Sequence, residues 1–265
     1  CEAVSVATPT VSHLAAAKAA LAAGCHVLVE KPMAVTVAEA DAMIQAATTH
    51  RRTLQVGQVE RFNPVILAAK PFLRHPRFIE GHRLAPFQPR SLDIDVVFDL
   101  MIHDIDAVLH LTGQTPSTIS AVGVAVLSSN EDIANARLEF PDGSVANLTA
   151  SRVSVERLRR LRFFQGDAYL SIDLFEKTGE AFVIKDPGSF KPGLVDPFAL
   201  LAGIQRTKIT GVVGEPLTLE LQAFVRSLRG QGEGAASARA GRDALFVAEE
   251  VRAAMRGRAL QWAGR

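Results

Sequence analysis

Three short apolar runs with helical spacings between them fill the first 57 residues and leave the chain few ways to fold. Ala3-Val4-Ser5-Val6-Ala7, Cys25 to Val29 and Thr53 to Val56 are nearly continuous in apolar character, as strands covered on both faces are. Between the first two runs, Leu14, Ala17 and Leu21 recur at helical spacing and stop at Gly24, a C-cap residue. Thr36, with Glu39 three positions on, has the form of a capping box. It opens a second amphipathic segment through Ala40, Met43, Ile44 and Ala47. Strand, helix, strand, helix, strand predicts a parallel sheet with helices on both faces, one half of a doubly wound nucleotide-binding domain.

The texture changes after Gly57. A helix is expected over Pro64 to Leu73, a strand over Phe78 to Leu84, and a longer helix from Val96 to Leu111 that ends at Gly113. Strand-like stretches follow at 119–126, 134–140, 144–151, 159–164, 168–174 and 181–184, with Pro141-Asp142-Gly143 as a turn between two of them. Residues 186–197 read as a loop. Leu217 to Leu228 and Ala244 to Met255 read as helices separated by a Gly/Ala/Ser-rich loop. The expected fold is therefore α/β plus α+β. Residues 1–58 form a partial Rossmann-type parallel sheet domain, and residues 59–265 form a second domain with an open, mostly antiparallel sheet.

Composition narrows the function classes. A net charge of +1 gives no reason to expect nucleic acid or an anionic membrane as partner. No apolar run reaches the roughly 18–20 residues of a membrane helix. Two cysteines, Cys1 and Cys25, make no disulfide framework, so a cytoplasmic, reducing setting is expected.

Four constellations could carry chemistry. Glu30-Lys31-Pro32 follows an apolar strand, where ligands bind in open α/β sheets, and Pro32 favours an extended Lys31. That lysine is either a solvated strand end or a donor to a substrate hydroxyl. Asp99, His103, Asp106 and His110 fall at i, i+4, i+7 and i+11, one polar stripe on an otherwise apolar helix. The stripe is either a solvent face or one wall of a cleft. In the cleft, Asp99 would orient the His103 imidazole, raise its pKa and prepare it to accept a proton. His and Asp at helical spacing can also ligate a metal, but no Cys set or HExxH signature accompanies them, and none is assigned. Thr8-Pro9-Thr10 with His13 is either a turn and helix start or a contact for phosphate or ribose. The basic run 157–162 reads first as a solvated strand face and second as a grip on a diphosphate or nucleic acid.

Taken in order, these residues resemble the Gfo/Idh/MocA oxidoreductases. The likeness rests on Ala7-Thr8-Pro9-Thr10 with His13, Val29-Glu30-Lys31-Pro32, Val56-Gly57 with Arg61-Phe62-Asn63-Pro64, and Asp99-x3-His103-x2-Asp106. The resemblance implies an NAD(P)-binding Rossmann domain, with NAD favoured, and hydride transfer between a sugar carbon and nicotinamide. It implies Lys31, Asp99 and His103 as catalytic residues, with His103 as base and Lys31 stabilising the alkoxide. Thr8, Pro9, His13, Glu30, Lys31 and Pro32 would line the cofactor, and Arg61 would lie near the domain junction. It also implies a homodimer or homotetramer through the C-terminal sheet. Residues 56–64 and 99–106 look like the branch that contains UDP-N-acetylglucosamine 3-dehydrogenases. Arg83, Arg90, Arg152 and Arg157 are then candidates for the substrate diphosphate. No G-x-G-x-x-G is present. The expectation is a dehydrogenase whose Gly-rich segment precedes Cys1. The alternative is a non-catalytic binding or oligomerisation module derived from the family.

Overall fold

A computed structural model describes residues 1–89, 94–185, 203–211 and 214–263. Arg90 and the loop expected over 186–197 lie outside the described residues. The first sheet follows from the opening pattern. Strands β1 (Ala3–Val6), β2 (His26–Glu30) and β3 (Leu54–Gly57) pair in parallel in that order, with helices α1 (His13–Ala22) and α2 (Val37–Thr49) as crossovers. Val27, Leu28 and Val29 of β2 are buried, as a central parallel strand requires. β1 departs from the expected buried strand: Ser5 is exposed, because among the described residues only β2 pairs with it. Gly24 takes the left-handed φ of 84° that closes α1, and Thr36 Oγ1 accepts from Glu39 N at 3.2 Å to start α2.

The chain then passes through a 3-10 turn at Val59–Phe62 into α3 (Pro64–Ala69), which is shorter than expected, and on to β4 (Phe78–Leu84). Helix α4 follows, a π-helical turn at Val97–Met101 continuing as an α-helix over Ile102–Thr112. Strands β5 (Thr118–Val124), β6 (Ile133–Glu139), β7 (Val145–Ser151), β8 (Leu158–Gln165), β9 (Ala168–Asp173), β10 (Thr178–Ile184) and β11 (Ile204–Thr210) complete an eight-stranded sheet. Its order is β11-β10-β9-β8-β4-β7-β6-β5, antiparallel except between β4 and β7. β11 is a strand that no sequence signal singled out.

One face of this sheet packs on helices. Ala134, Ala136, Ala146 and Ala150 are fully buried there, and their small side chains allow helices to approach closely. The opposite face is open. Across it runs a ladder of rings, Phe78, Phe164, Tyr169 and Phe182, with centroids 5.5, 4.9 and 5.8 Å apart.

The end of the chain returns to the first sheet. Helix α5 (Pro216–Leu228) lies against the 59–62 turn, and β12 (Ala236–Ser237), within the segment read as a loop, pairs antiparallel with β3. Helix α6 (Ala238–Ala263), longer than the expected 244–255, packs on β3, α2, α4 and β5. Gly241 permits the approach to β3, since a Cβ there would stand 2.4 Å from Val56 Cγ2. A single hydrophobic core therefore runs beneath both sheets.

α5 also buries Glu220 completely, and neither carboxyl oxygen finds a partner among the described residues. Burial, with the charges of Glu30 and Asp106, pushes this carboxyl up to about 8. The folded chain thus holds a proton that the unfolded chain releases near 4.5. Stability should fall as pH rises from about 5 to 8, with a slope of about one proton. Glu220→Gln should flatten that slope in urea titrations, and an unchanged slope would contradict the assignment.

Candidate active site

The site is built where the carboxyl ends of β1, β2 and β3 face the start of α4. Two loops leave those ends, and one side chain ties them together. His13 is buried, with Nδ1 3.0 Å from the carbonyl of Pro32 and Nε2 2.8 Å from the carbonyl of Thr8. His13 is therefore a brace between the Thr8-Pro9 and Glu30-Lys31-Pro32 loops rather than a cofactor contact. Pro32 is buried with it. The accessible rim consists of Thr8 and Pro9, which are exposed, and Glu30 and Lys31, which are half-buried.

Lys31 Nζ donates to the backbone carbonyl of Asp99 at 2.9 Å. This bond joins the first sheet to the second domain's helix at its π turn. A π turn widens the helix to more than four residues per turn, so residues four apart no longer stack. The expected Asp99–His103 bond is accordingly missing. His103 Nδ1 is buried with no hydrogen-bond partner among the described residues. Its pKa is pushed well down, not up: burial disfavours the imidazolium, and Lys31, Arg83 and Arg159 repel it. A neutral imidazole beside a lysine can accept a proton from a hydroxyl. An orphaned buried nitrogen at such a place fits a site that a bound molecule completes.

Two networks hold α4, and of the expected polar stripe only Asp106 takes part in them. Arg83, buried on β4, donates to both oxygens of Asp104 and at 3.0 Å to Glu60 Oε1. Glu60 also accepts from Asn63 at 3.1 Å. Arg61 grips Asp106 through two bonds of 2.8 and 2.6 Å. It lines a separate cavity of about 460 Å3 with Lys70, His110 and Arg226, away from Lys31 and His103. Burial, with Arg61 and Lys70, pushes His110 down to about 4.

These networks correct several expectations. Arg83 is used up by two carboxylates and cannot meet substrate. Arg152 donates to Asp132 at 2.8 Å, to the Ile94 carbonyl at 2.9 Å and to Ser128 at 3.0 Å, and it still lines the cleft bordered by Asp99, Arg157 and Arg159. Asp132 accepts from three successive backbone N–H groups, which with Arg152 hold its carboxyl far below the usual range. Arg61, from the turn after β3, is anchored by Asp106 of α4. Arg157 is exposed, lies over the Phe175 ring, and borders a cleft of about 300 Å3 with Asp99, Leu100 and Arg159. Asp104 and Glu60 were not singled out by the sequence, although a charged residue within an apolar helix stretch was a signal. Among the described residues, no three His, Cys, Asp or Glu side chains are placed to hold a metal ion. No described helix is long and apolar enough to cross a membrane.

The strand ends, the braced loops and the Lys31–Asp99 bond fit a nicotinamide cofactor, and the comparisons agree. Residues 1–58 match "Oxidoreductase family, NAD-binding Rossmann fold" and residues 75–168 match "GFO/IDH/MocA C-terminal domain". The chain belongs to the Gfo/Idh/MocA oxidoreductases. It is 38% identical over 259 residues to the UDP-N-acetylglucosamine 3-dehydrogenase of Acidithiobacillus ferrooxidans, covering 96% of this chain and 79% of that one. The solved structure of that protein superposes with a TM-score of 0.86, over 96% of this chain and 78% of that one. An inositol 2-dehydrogenase of Acidothermus cellulolyticus is 35% identical over 114 residues, 40% of this chain and 33% of that protein. An oxidoreductase domain protein from Kribbella flavida shares the fold at 22% identity, with a TM-score of 0.82 over 97% and 79% of the two chains.

Breaking the buried network should separate structural from exposed arginines. Arg83→Met leaves Glu60 and Asp104 without their cation and should cost about 3–5 kcal/mol in urea unfolding. Arg157→Ala should stay within about 0.5 kcal/mol of the parent. Equal losses would mean that the Arg83 network carries no stability.

Proposed function

We propose that the protein is an NAD(P)-dependent dehydrogenase of a sugar nucleotide, oxidising a ring hydroxyl at C3 of UDP-N-acetylglucosamine, with NAD as the favoured cofactor. The observation that carries this reading is the Lys31–Asp99 contact. It sets the lysine of one sheet beside a neutral His103 on the helix of the other domain. The extended likeness to the Acidithiobacillus dehydrogenase supports the choice of substrate.

Each residue then has a separate task. Thr8, Pro9 and Glu30 form the rim against which the nicotinamide end of the cofactor would rest, with His13 and Pro32 behind it. Bound nicotinamide dinucleotide would supply the hydride acceptor. His103 takes the proton of the substrate hydroxyl, and its neutral state leaves it ready to do so. The Lys31 ammonium, fixed by the Asp99 carbonyl, faces the oxygen on which negative charge develops and lowers the barrier electrostatically. Asp99 borders the cleft and orients the sugar. These retained groups favour an enzyme over a non-catalytic module. The cytoplasm, which holds the nicotinamide pool, is the proposed compartment.

Reduction of NAD+ at 340 nm, by protein made from its complete gene with a panel of sugar nucleotides, tests the reaction. His103→Ala should lower kcat by about 10²–10⁴ with cofactor affinity kept. An unchanged kcat would remove His103 from the role of base. The open sheet face with its ring ladder is the proposed contact between subunits. Tyr169→Glu should shift the sedimentation coefficient to that of a monomer, and an unshifted oligomer would place the contact elsewhere.

A further inference from the structure

The basic run 157–162 is divided by strand geometry. On β8, Leu161 and Phe163 are fully buried against the core. Side chains alternate along a strand, so Arg159 stands on that same face, while Arg160 and Arg162 stand on the open one. There Arg160 meets Asp173 at 3.4 Å and Arg162 meets Glu80 at 3.1 Å. Arg159 has only a longer ion pair, to a carboxylate that another arginine holds. Its register neighbour on β4 is Arg83, a second guanidinium, which already holds the two nearby carboxylates. Arg159 reaches Glu60 only at 3.8 Å and, among the described residues, donates no hydrogen bond. It borders the 300 Å3 cleft beside Asp99 and Arg157.

A guanidinium on the core face of a strand, beside another guanidinium and without a hydrogen-bonded carboxylate, calls for an anion from outside. We propose that Arg159, with Arg157 beside it, binds phosphate oxygens of the substrate and so selects a phosphate-bearing sugar over a neutral one. This rests on the sugar-dehydrogenase reading for the reaction but not for the binding. Burial and the repulsion of Arg83 and Arg157 push the Arg159 guanidinium down, against the attraction of Glu60 and Asp104. The two carboxylates near Arg159, Glu60 and Asp104, are already held by Arg83. Planar, fork-like donors suit phosphate oxygens, and two arginines on one rim can hold a diphosphate from both sides.

Calorimetric titration with UDP and with inorganic pyrophosphate, without cofactor and at low salt, tests the binding directly. Arg159→Gln should weaken both at least tenfold, and Arg159→Lys should weaken them less. Arg74→Gln, which removes an equal charge from a remote surface, should bind as the parent does. In turnover assays Arg159→Gln should lose kcat/KM for a UDP-sugar and for a sugar monophosphate by a larger factor than it changes kcat/KM for a neutral sugar. The ratio of the first two losses tells a diphosphate from a single phosphate. Unchanged binding of UDP and pyrophosphate by folded Arg159→Gln, or by Arg159→Lys should the first not fold, would overturn the proposal. Absence of turnover with every sugar would end the dehydrogenase reading and leave the binding result to decide on Arg159.

Discussion

The ion network around Arg83 is the interaction on which the rest of the site depends. It links three segments far apart in sequence: the turn after β3 through Glu60, the strand β4 through Arg83 itself, and the helix α4 through Asp104. Burial raises the pKa of Asp104, and Arg83 opposes that shift; the same cation holds Glu60 below its ordinary value. Such a network gains little over an apolar core of the same volume, yet removing one member leaves an uncompensated charge. Its value lies in geometry. With three donor contacts fixed, the helix cannot slide or rotate against the sheet without exposing a buried carboxylate. His103, next to Asp104, inherits that fixed position.

The second constraint is the π turn that opens α4. A regular helix would have placed Asp99 and His103 on one line, with the aspartate as the partner of the imidazole. The wider turn instead presents the Asp99 carbonyl to Lys31, so a backbone atom holds the lysine. The imidazole is left without a carboxylate and stays neutral. The return of β12 and α6 to β3 completes the arrangement, because α6 touches β3, α2 and α4 and fixes the angle between the two sheets.

Much of this was legible because it rests on local patterns. The continuous apolar runs of β2 and β3, the Thr36 cap and the alternation in β4 to β9 are properties of a few neighbouring residues, and the elements lie within a few positions of expectation. β11 and β12 escaped because Ile204–Thr210 is mostly polar and exposed, and Ala236–Ser237 is ordered by its neighbour β3 rather than by its own composition. Lys31, Asp99 and His103 were singled out by strand-end logic, helical spacing and the family resemblance, and the fold brings the three together. The partners of the arginines were not, since a pair such as Arg61 with Asp106, or Arg83 with Glu60, forms only when distant segments meet. The π turn carried no sequence signal at all, and the Asp99–His103 bond inferred from i, i+4 spacing failed for that reason.

The same positive field acts on both His103 and Arg159, and it links substrate charge to proton transfer. The cations that face His103 are Lys31, Arg83 and Arg159, from the loop after β2, from β4 and from β8. On its own helix, Asp104 and Asp106 are tied to Arg83 and Arg61, and Asp99 lies across the π turn. Burial first, and this field second, keep the imidazole unprotonated and make it a weaker acceptor. A phosphate on Arg159 cancels part of the field at close range in a partly desolvated cleft, where charges act strongly. The imidazole becomes more basic as the sugar hydroxyl arrives. A neutral sugar in the same cleft would bring no such compensation, so on the proposed reading Arg159 would both hold the substrate and adjust the proposed base His103.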